Sequence, residues 1–201
     1  VSTLKAIQLN PNLAIAHSNL GNILLDLGKL KDAELQYRKA IKLNPDYAIA
    51  HSNLGGLLID LGKLQKAELS ICKAIELDPY LAVAYYSLSK LKVFNKNTIW
   101  RDQLFSKKIL NNQLVKDQIN IYFARANILH SESNFKESAK YLESANNLKQ
   151  NLNPSNIKYL LNKSKKLLLE SIKENINEDE QTNIPCSIFI VGMPRSGSTL
   201  I

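Results

Sequence analysis

Residues 14–47 read AIAHSNLGNILLDLGKLKDAELQYRKAIKLNPDY, and residues 48–81 follow as AIAHSNLGGLLIDLGKLQKAELSICKAIELDPYL. Pro11, Pro45 and Pro79 stand 34 residues apart. The same phrase returns around each: Ala6-Ile7, Ala40-Ile41 and Ala74-Ile75, then Leu9-Asn10-Pro11, Leu43-Asn44-Pro45 and Leu77-Asp78-Pro79. A match this long at a fixed period marks one supersecondary unit copied in tandem, whose apolar face is buried by stacking on its neighbours.

Each unit reads as two helices. Leu20, Gly21 and Leu24 recur at helical spacing in the first, and Gly28 and Gly62 follow it where a left-handed C′ residue belongs. Ala33, Tyr37 and Ala40 mark the inward face of the second helix, and proline ends the unit because it cannot continue a helix. Gly21 and Ala33 are small where two helices must approach closely.

These residues resemble the tetratricopeptide repeat. Its eight signature positions fall on His17, Leu20, Gly21, Leu24, Ala33, Tyr37, Ala40 and Pro45, and again on His51, Leu54, Gly55, Leu58, Ala67, Ile71, Ala74 and Pro79. Residues 1–13 are then the tail of a preceding unit, and residues 82–94 (AVAYYSLSKLKVF) open a third in which Ser89 replaces the glycine. A degenerate unit follows at roughly 119–150, with Tyr122, Ala126 and Ala145 at matching places. The resemblance implies a right-handed α-solenoid whose concave face is lined by first helices. Asn19 and Asn53 share one repeat position on that face. In arrays such as that of the O-linked N-acetylglucosamine transferases, an asparagine there forms a ladder that holds the backbone of an extended peptide, a task suited to an amide that donates and accepts at once. The other reading is that both are copied polar surface residues; Ser87 breaks the series. His17 and His51, followed by Tyr85, read as interhelical packing, since no nucleophile and carboxylate recur around them.

Composition bounds the rest. The 201 residues carry 26 Lys and Arg against 18 Asp and Glu, a net charge of +8, with the basic residues spread along the helices. That permits an anionic partner without requiring one; no nucleic acid is expected. Cys72 and Cys186 fit no metal-ligand spacing and are expected to be reduced; no metal site is expected. No apolar run reaches membrane-spanning length. The chain opens on Val1, in mid-repeat, so it reads as a fragment whose targeting segment could lie upstream.

Between the repeats and the C-terminus, Trp100, Leu104, Phe105, Ile109 and Leu110 predict one long helix over 98–115. Asn153-Pro154-Ser155 signals a turn and a helix start, and Ile157, Leu160, Leu161, Leu167, Leu168 and Ile172 make the next segment an amphipathic helix with lysines on its outer face. NEDEQTN at 177–183 reads as a linker.

Then the pattern changes. CSIFIVGMPRSGSTLI begins with Ile188-Phe189-Ile190-Val191, a buried parallel strand by composition. Gly192 and Gly197 bracket a tight loop, and Ser198-Thr199 open a helix. Strand, glycine loop and helix N-terminus converge backbone N–H groups on a phosphate. A nucleotide-hydrolase P-loop would have lysine where Ser198 stands, so plain ATP or GTP hydrolysis is disfavoured. PRSGST resembles the phosphosulfate-binding loop of sulfotransferases, commonly P-R-S-G-T-T. Together with the repeats ahead of it, it is similar to bacterial multidomain proteins related to protein-tyrosine sulfotransferases. The resemblance implies that Ser196, Gly197, Ser198 and Thr199 cradle 3′-phosphoadenosine 5′-phosphosulfate (PAPS), and that Arg195 binds the phosphosulfate and stabilises charge on the bridging oxygen. It implies a cytoplasmic setting, and further βα units beyond Ile201, so that the 201 residues alone transfer no sulfate.

The expected architecture is therefore all-α: tetratricopeptide repeats at 1–94, degenerate helical repeats at 95–152, an amphipathic helix and linker at 153–184, and at 185–201 the first strand and phosphate loop of a truncated α/β P-loop-like domain. The expected function is recruitment of a protein, peptide or glycan acceptor for a PAPS-dependent sulfotransferase. The competing readings are a non-enzymatic interaction scaffold and, from the repeats alone, a glycosyltransferase of the O-linked N-acetylglucosamine type, which has no use for MPRSGST.

Overall fold

A computed structural model describes residues 2–91, 99–111, 113–152 and 165. The chain divides into two compact units, Val1–Pro154 and Ser155–Ile201. All described residues but Lys165 lie in the first. They form nine α-helices: α1 (Ser2–Leu9), α2 (Ala14–Asp26), α3 (Leu30–Leu43), α4 (Ala48–Asp60), α5 (Leu64–Leu77), α6 (Ala82–Leu88), α7 (Ile99–Phe105), α8 (Val115–Ser131) and α9 (Phe135–Leu152). No strand occurs among the described residues. The strand expected at 188–191, the loop from Gly192 to Thr199 and the segment 153–184 lie outside them, Lys165 excepted.

Helices α2 and α3, α4 and α5, and α8 and α9 pair as hairpins, and each is closed by the same device. Gly28 and Gly62 have φ of 72° and 70°. Around the first, Gly28 N–H bonds Leu25 O at 2.9 Å and Lys29 N–H bonds Leu24 O at 2.8 Å, which satisfies two carbonyls the helix end would leave unpaired. The degenerate hairpin builds the same cap at Ser133 (φ 61°), with Ser133 N–H on His130 O and Asn134 N–H on Leu129 O. A side chain in that conformation costs about 1–2 kcal/mol that glycine avoids.

The joint between units is also copied. Asn10, Asn44 and Asp78 each accept a backbone N–H two residues on, from Asn12, Asp46 and Tyr80. These turns present the carbonyl of the proline to the next helix. His17 Nε2–H donates to Pro11 O at 2.9 Å, His51 Nε2–H to Pro45 O at 2.9 Å, and the Tyr85 hydroxyl to Pro79 O at 3.0 Å. The position read as packing is thus also a clip. His17 and Tyr85 are buried and His51 is half-buried, so packing and clip coexist.

Within a hairpin the helices meet at glycine. A Cβ on Gly21 would lie 2.5 Å from Tyr37 Cε1, and one on Gly55 would run into Ile71 Cγ1 and sit 3.3 Å from the Ala67 carbonyl. Ala33, Ala40, Ala67 and Ala74 are fully buried on the opposing helices. Tyr37, Leu54, Leu57 and Leu58 fill the space between the first two units. A second cluster, around Ile71, Tyr85, Leu104, Ile109 and Ile121, carries the core onward to α8.

The single helix expected over 98–115 does not form. Helix α7 stops at Phe105, Ser106 is extended (φ −64°, ψ 150°), and a 3₁₀ turn occupies Lys107–Leu110. Apolar spacing carried across the break because Leu104 and Ile109 both still reach the core. The break frees carbonyls, and Arg125 takes them: its Nε–H donates to Leu104 O at 2.9 Å and Nη2–H to Ser106 O at 2.9 Å. Arg125 is 5% exposed and pairs with no carboxylate among the described residues. Its guanidinium carbon lies 5.8, 5.9 and 5.4 Å from the ring centroids of Phe105, Tyr122 and Tyr141, aromatic faces that favour a cation. Burial pulls its pKa below the usual guanidinium value, opposed by Tyr141 and Tyr122; the group stays protonated.

Two measurements check these contacts. Gly55→Ala should lower the unfolding free energy by about 1–3 kcal/mol through overpacking, whereas Gly56→Ala, whose Cβ would meet no atom within 4 Å, should raise it by about 0.5–1 kcal/mol. Urea melts showing both variants shifted the same way would contradict the glycine seat. Arg125→Met should cost about 2–3 kcal/mol by stranding the buried Leu104 carbonyl and the half-buried Ser106 carbonyl; a loss below about 0.5 kcal/mol, within the scatter of surface changes, would show that the guanidinium does not hold the break.

Candidate functional site

The first helices α2, α4 and α6 bring equivalent positions side by side, 34 residues apart. Ile15, Ile49 and Val83 form a row that is 53%, 43% and 36% exposed. One turn on stand Asn19, Asn53 and Ser87, and beyond them Asn22, Gly56 and Lys90. A recess of about 190 Å³ opens between these helices, lined by Asn22, Asn53, Gly56, Asp60, Ser87 and Lys90 among others.

Of the two asparagines picked out by repetition, only Asn53 lies in this recess. Its Nδ2–H group donates to Asn22 Oδ1 at 3.1 Å and, at the long distance of 3.4 Å, to Ser18 Oγ. Asn22 Oδ1 also accepts from the Tyr37 hydroxyl at 2.7 Å. Tyr37 is fully buried, and burial, with the nearby Asp26 charge adding to it, pushes its phenol up to about 12. The hydroxyl therefore stays a donor at ordinary pH. The bridge fixes the Asn53 amide from two sides and leaves its Oδ1 with no partner among the described residues, an acceptor ready for an outside N–H. Asn19 is exposed on α2, and its side chain makes no hydrogen bond among the described residues.

Beside this recess along α6 lies a second, of about 580 Å³, between α6, α8 and the end of α9. Tyr86, Phe123 and Ile119 line it, with Lys116 and Lys149 at its sides. The Tyr86 and Phe123 rings pack with centroids 6.1 Å apart, and Lys90 Nζ sits 4.3 Å above the Tyr86 ring. None of Lys90, Lys116 and Lys149 pairs with a carboxylate among the described residues. The face therefore changes along its length from amides and hydroxyls to aromatics and lysines.

Repetition hid part of this site. Asn22 lies one turn from Asn19 on the same face, but with no copy at Gly56 or Lys90 nothing in the repeat marked it. Elsewhere, a recess of about 280 Å³ between α5 and α7 contains Cys72, whose thiol pKa is raised by burial and by Glu68 and Glu76, which leaves it a weak nucleophile. Among the described residues no cluster of His, Cys, Asp and Glu could hold a metal ion, and no helix is long and apolar enough to cross a membrane. Arg195, Ser196, Gly197, Ser198 and Thr199 lie outside the described residues.

Comparison with known proteins bears on this geometry. Three tetratricopeptide repeat family models match, over residues 3–35, 21–62 and 48–80. No curated protein sequence matches significantly. Among solved structures, the chain is similar to MamA (20% identity, TM-score 0.49, covering 74% of this chain and 85% of that one). It is also similar to YrrB, a TPR protein with an unusual peptide-binding site (18%, 0.49, 82% and 98%), and to the first TPR of Spaghetti (RPAP3) bound to the HSP90 peptide SRMEEVD (18%, 0.41, 65% and 94%). Residues 3–80, which build α1 to α5 and the Asn53 bridge, are tetratricopeptide repeats.

Proposed function

We propose that the face formed by α2, α4 and α6 holds an extended segment of another protein, and that this binding recruits an acceptor for PAPS-dependent sulfate transfer. The observation that carries the first part is the Asn53 amide, held by Asn22 and Ser18 with its oxygen left over. A side chain already fixed loses little freedom when it accepts a backbone N–H, so the bond adds more to affinity than one from a mobile residue. The exposed row Ile15, Ile49 and Val83 offers apolar contact to side chains on one side of such a segment. Lys90, Lys116 and Lys149 favour a segment with acidic residues toward the α8 end.

Support for the second part is the sequence IFIVGMPRSGSTL at 188–200 following the repeats. PAPS, when bound, supplies the sulfuryl group. Backbone N–H groups from Ser196 to Thr199 would hold its phosphate, the hydroxyls of Ser198 and Thr199 would add bonds, and the permanent charge and planar fork of Arg195 suit an anion of this shape. Positioning and charge stabilisation are what such a transfer asks of the protein.

In a binding assay against an array of extended peptides, Asn53→Ala should weaken the best binders about 5- to 10-fold, the worth of one preorganised hydrogen bond. Asn19→Ala should weaken them less, because an unheld side chain must first be ordered. Unchanged affinity in Asn53→Ala would remove the groove reading. In the product of the complete open reading frame, Arg195→Ala should lower sulfate transfer from PAPS by about 100-fold or more while leaving peptide binding unchanged. Equal transfer by wild type and variant would remove Arg195 from the reaction, and none by the wild type would leave a non-enzymatic scaffold.

A further inference from the structure

The first two units are close copies, so the places where they differ on the groove face stand out. Where the first unit meets the second, three residues build one polar bridge: Asn22 Oδ1 accepts from the Tyr37 hydroxyl at 2.7 Å and from Asn53 Nδ2 at 3.1 Å. One repeat on, the equivalents of Asn22, Tyr37 and Asn53 are Gly56, Ile71 and Ser87. All three members of the bridge are gone together. Ser18, which Asn53 reaches in the first unit, has its copy in Ser52. With no amide at position 87 to reach it, the Ser52 hydroxyl is buried, 2% exposed, and has no partner among the described residues.

Gly56 makes the loss more than a neutral change. It lies in the interior of α4, where glycine weakens a helix. Gly21 and Gly55 repay that cost by admitting Tyr37 and Ile71, but a Cβ on Gly56 would meet nothing within 4 Å. The space it leaves is the recess of about 190 Å³ shared by Ser52, Asn53, Ser87 and Gly56, with Asp60 and Lys90 also in its lining.

We infer that this recess is a side-chain subsite that takes the carboxamide of an asparagine or glutamine from the bound segment, standing where the Asn53 amide stands one repeat earlier. The inference rests on the groove reading above and adds the residue that the groove selects. A carboxamide is neutral, which suits a lining with one carboxylate and one ammonium, and it both donates and accepts, which suits a serine hydroxyl free to turn. An apolar side chain would leave the buried Ser52 hydroxyl without a partner, and a charged one would lose hydration against a balanced lining.

The test is a positional-scanning library of acetylated, C-terminally amidated decapeptides, measured by fluorescence polarisation against the full chain, the double variant Gly56→Asn/Ser87→Asn, and Ser52→Ala. The open space at Gly56 admits the new side chain, and circular dichroism melts verify that each variant is folded. The wild type should prefer Asn or Gln over Ala at one position by about 3- to 10-fold. The double variant should lose that preference yet keep the Asn53-dependent affinity, and Ser52→Ala should reduce it. Peptide binding that depends on Asn53 but shows no amide preference, or prefers an acidic or apolar residue there, overturns the subsite and leaves the groove reading standing. So does a preference that survives in both variants. A library in which nothing binds overturns both.

Discussion

The close approach of paired helices at Gly21 and Gly55 fixes where everything else in the described fold can be. With no side chain at those positions, Tyr37 and Ile71 lie directly against the backbone of the first helix. That contact sets the separation and rotation of each hairpin, and so decides which residues of α2 and α4 turn inward and which line the open face. Tyr37 acts on both sides of the contact. Its ring fills the seat under Gly21, and its hydroxyl emerges to hold Asn22. The same residue thus couples the packing of the hairpin to the polarity of the groove. Where isoleucine replaces it in the next unit, the packing persists and the polar bridge does not.

Much of this was legible because repetition marks positions as well as elements. The 34-residue spacing located the hairpins, Gly28 and Gly62 were placed in the left-handed conformation that they adopt, and Gly21 and Ala33 were placed at close contacts that they make. What repetition could not mark is anything that occurs once. The extended Ser106 interrupts an apolar pattern that reads as continuous helix, since residues on either side still face the core. Arg125 fills a place that is Leu20 in the first unit, and a charged residue is buried there because the two freed carbonyls supply its partners. Of the groove, Asn53 was visible and its supports were not. A hydrogen bond between α2 and α4 depends on side chains 31 residues apart, one turn out of the repeat register.

The array also changes character as it proceeds. The third unit opens with α6, has Ser89 where glycine stood, and is followed by the short α7 and the 3₁₀ turn in place of a regular second helix. Helix α8 then packs directly on α6, with Asn127 Nδ2–H bonded to Ser89 Oγ at 3.0 Å. Substituting a hydroxyl for glycine adds a polar partner where the first two units have only contact. The irregular segment is held from the side by Arg125 and by the paired Arg101 and Glu132, which meet at 2.8–2.9 Å. A departure from the repeat is thereby absorbed without breaking the stack, and the groove gains its aromatic and basic portion from the helix that follows.

The clips from His17 to Pro11, His51 to Pro45 and Tyr85 to Pro79 each tie a unit to the turn that ends the one before. Stability in such an array is close to a sum of unit terms and nearest-neighbour terms, and the clips belong to the second kind. A segment lying across α2, α4 and α6 would touch several units at once and so act as a splint, adding couplings between units that are not neighbours. Occupancy would then be felt as a stiffening of the whole row, with hydrogen exchange slowed even in hairpins that the segment never touches.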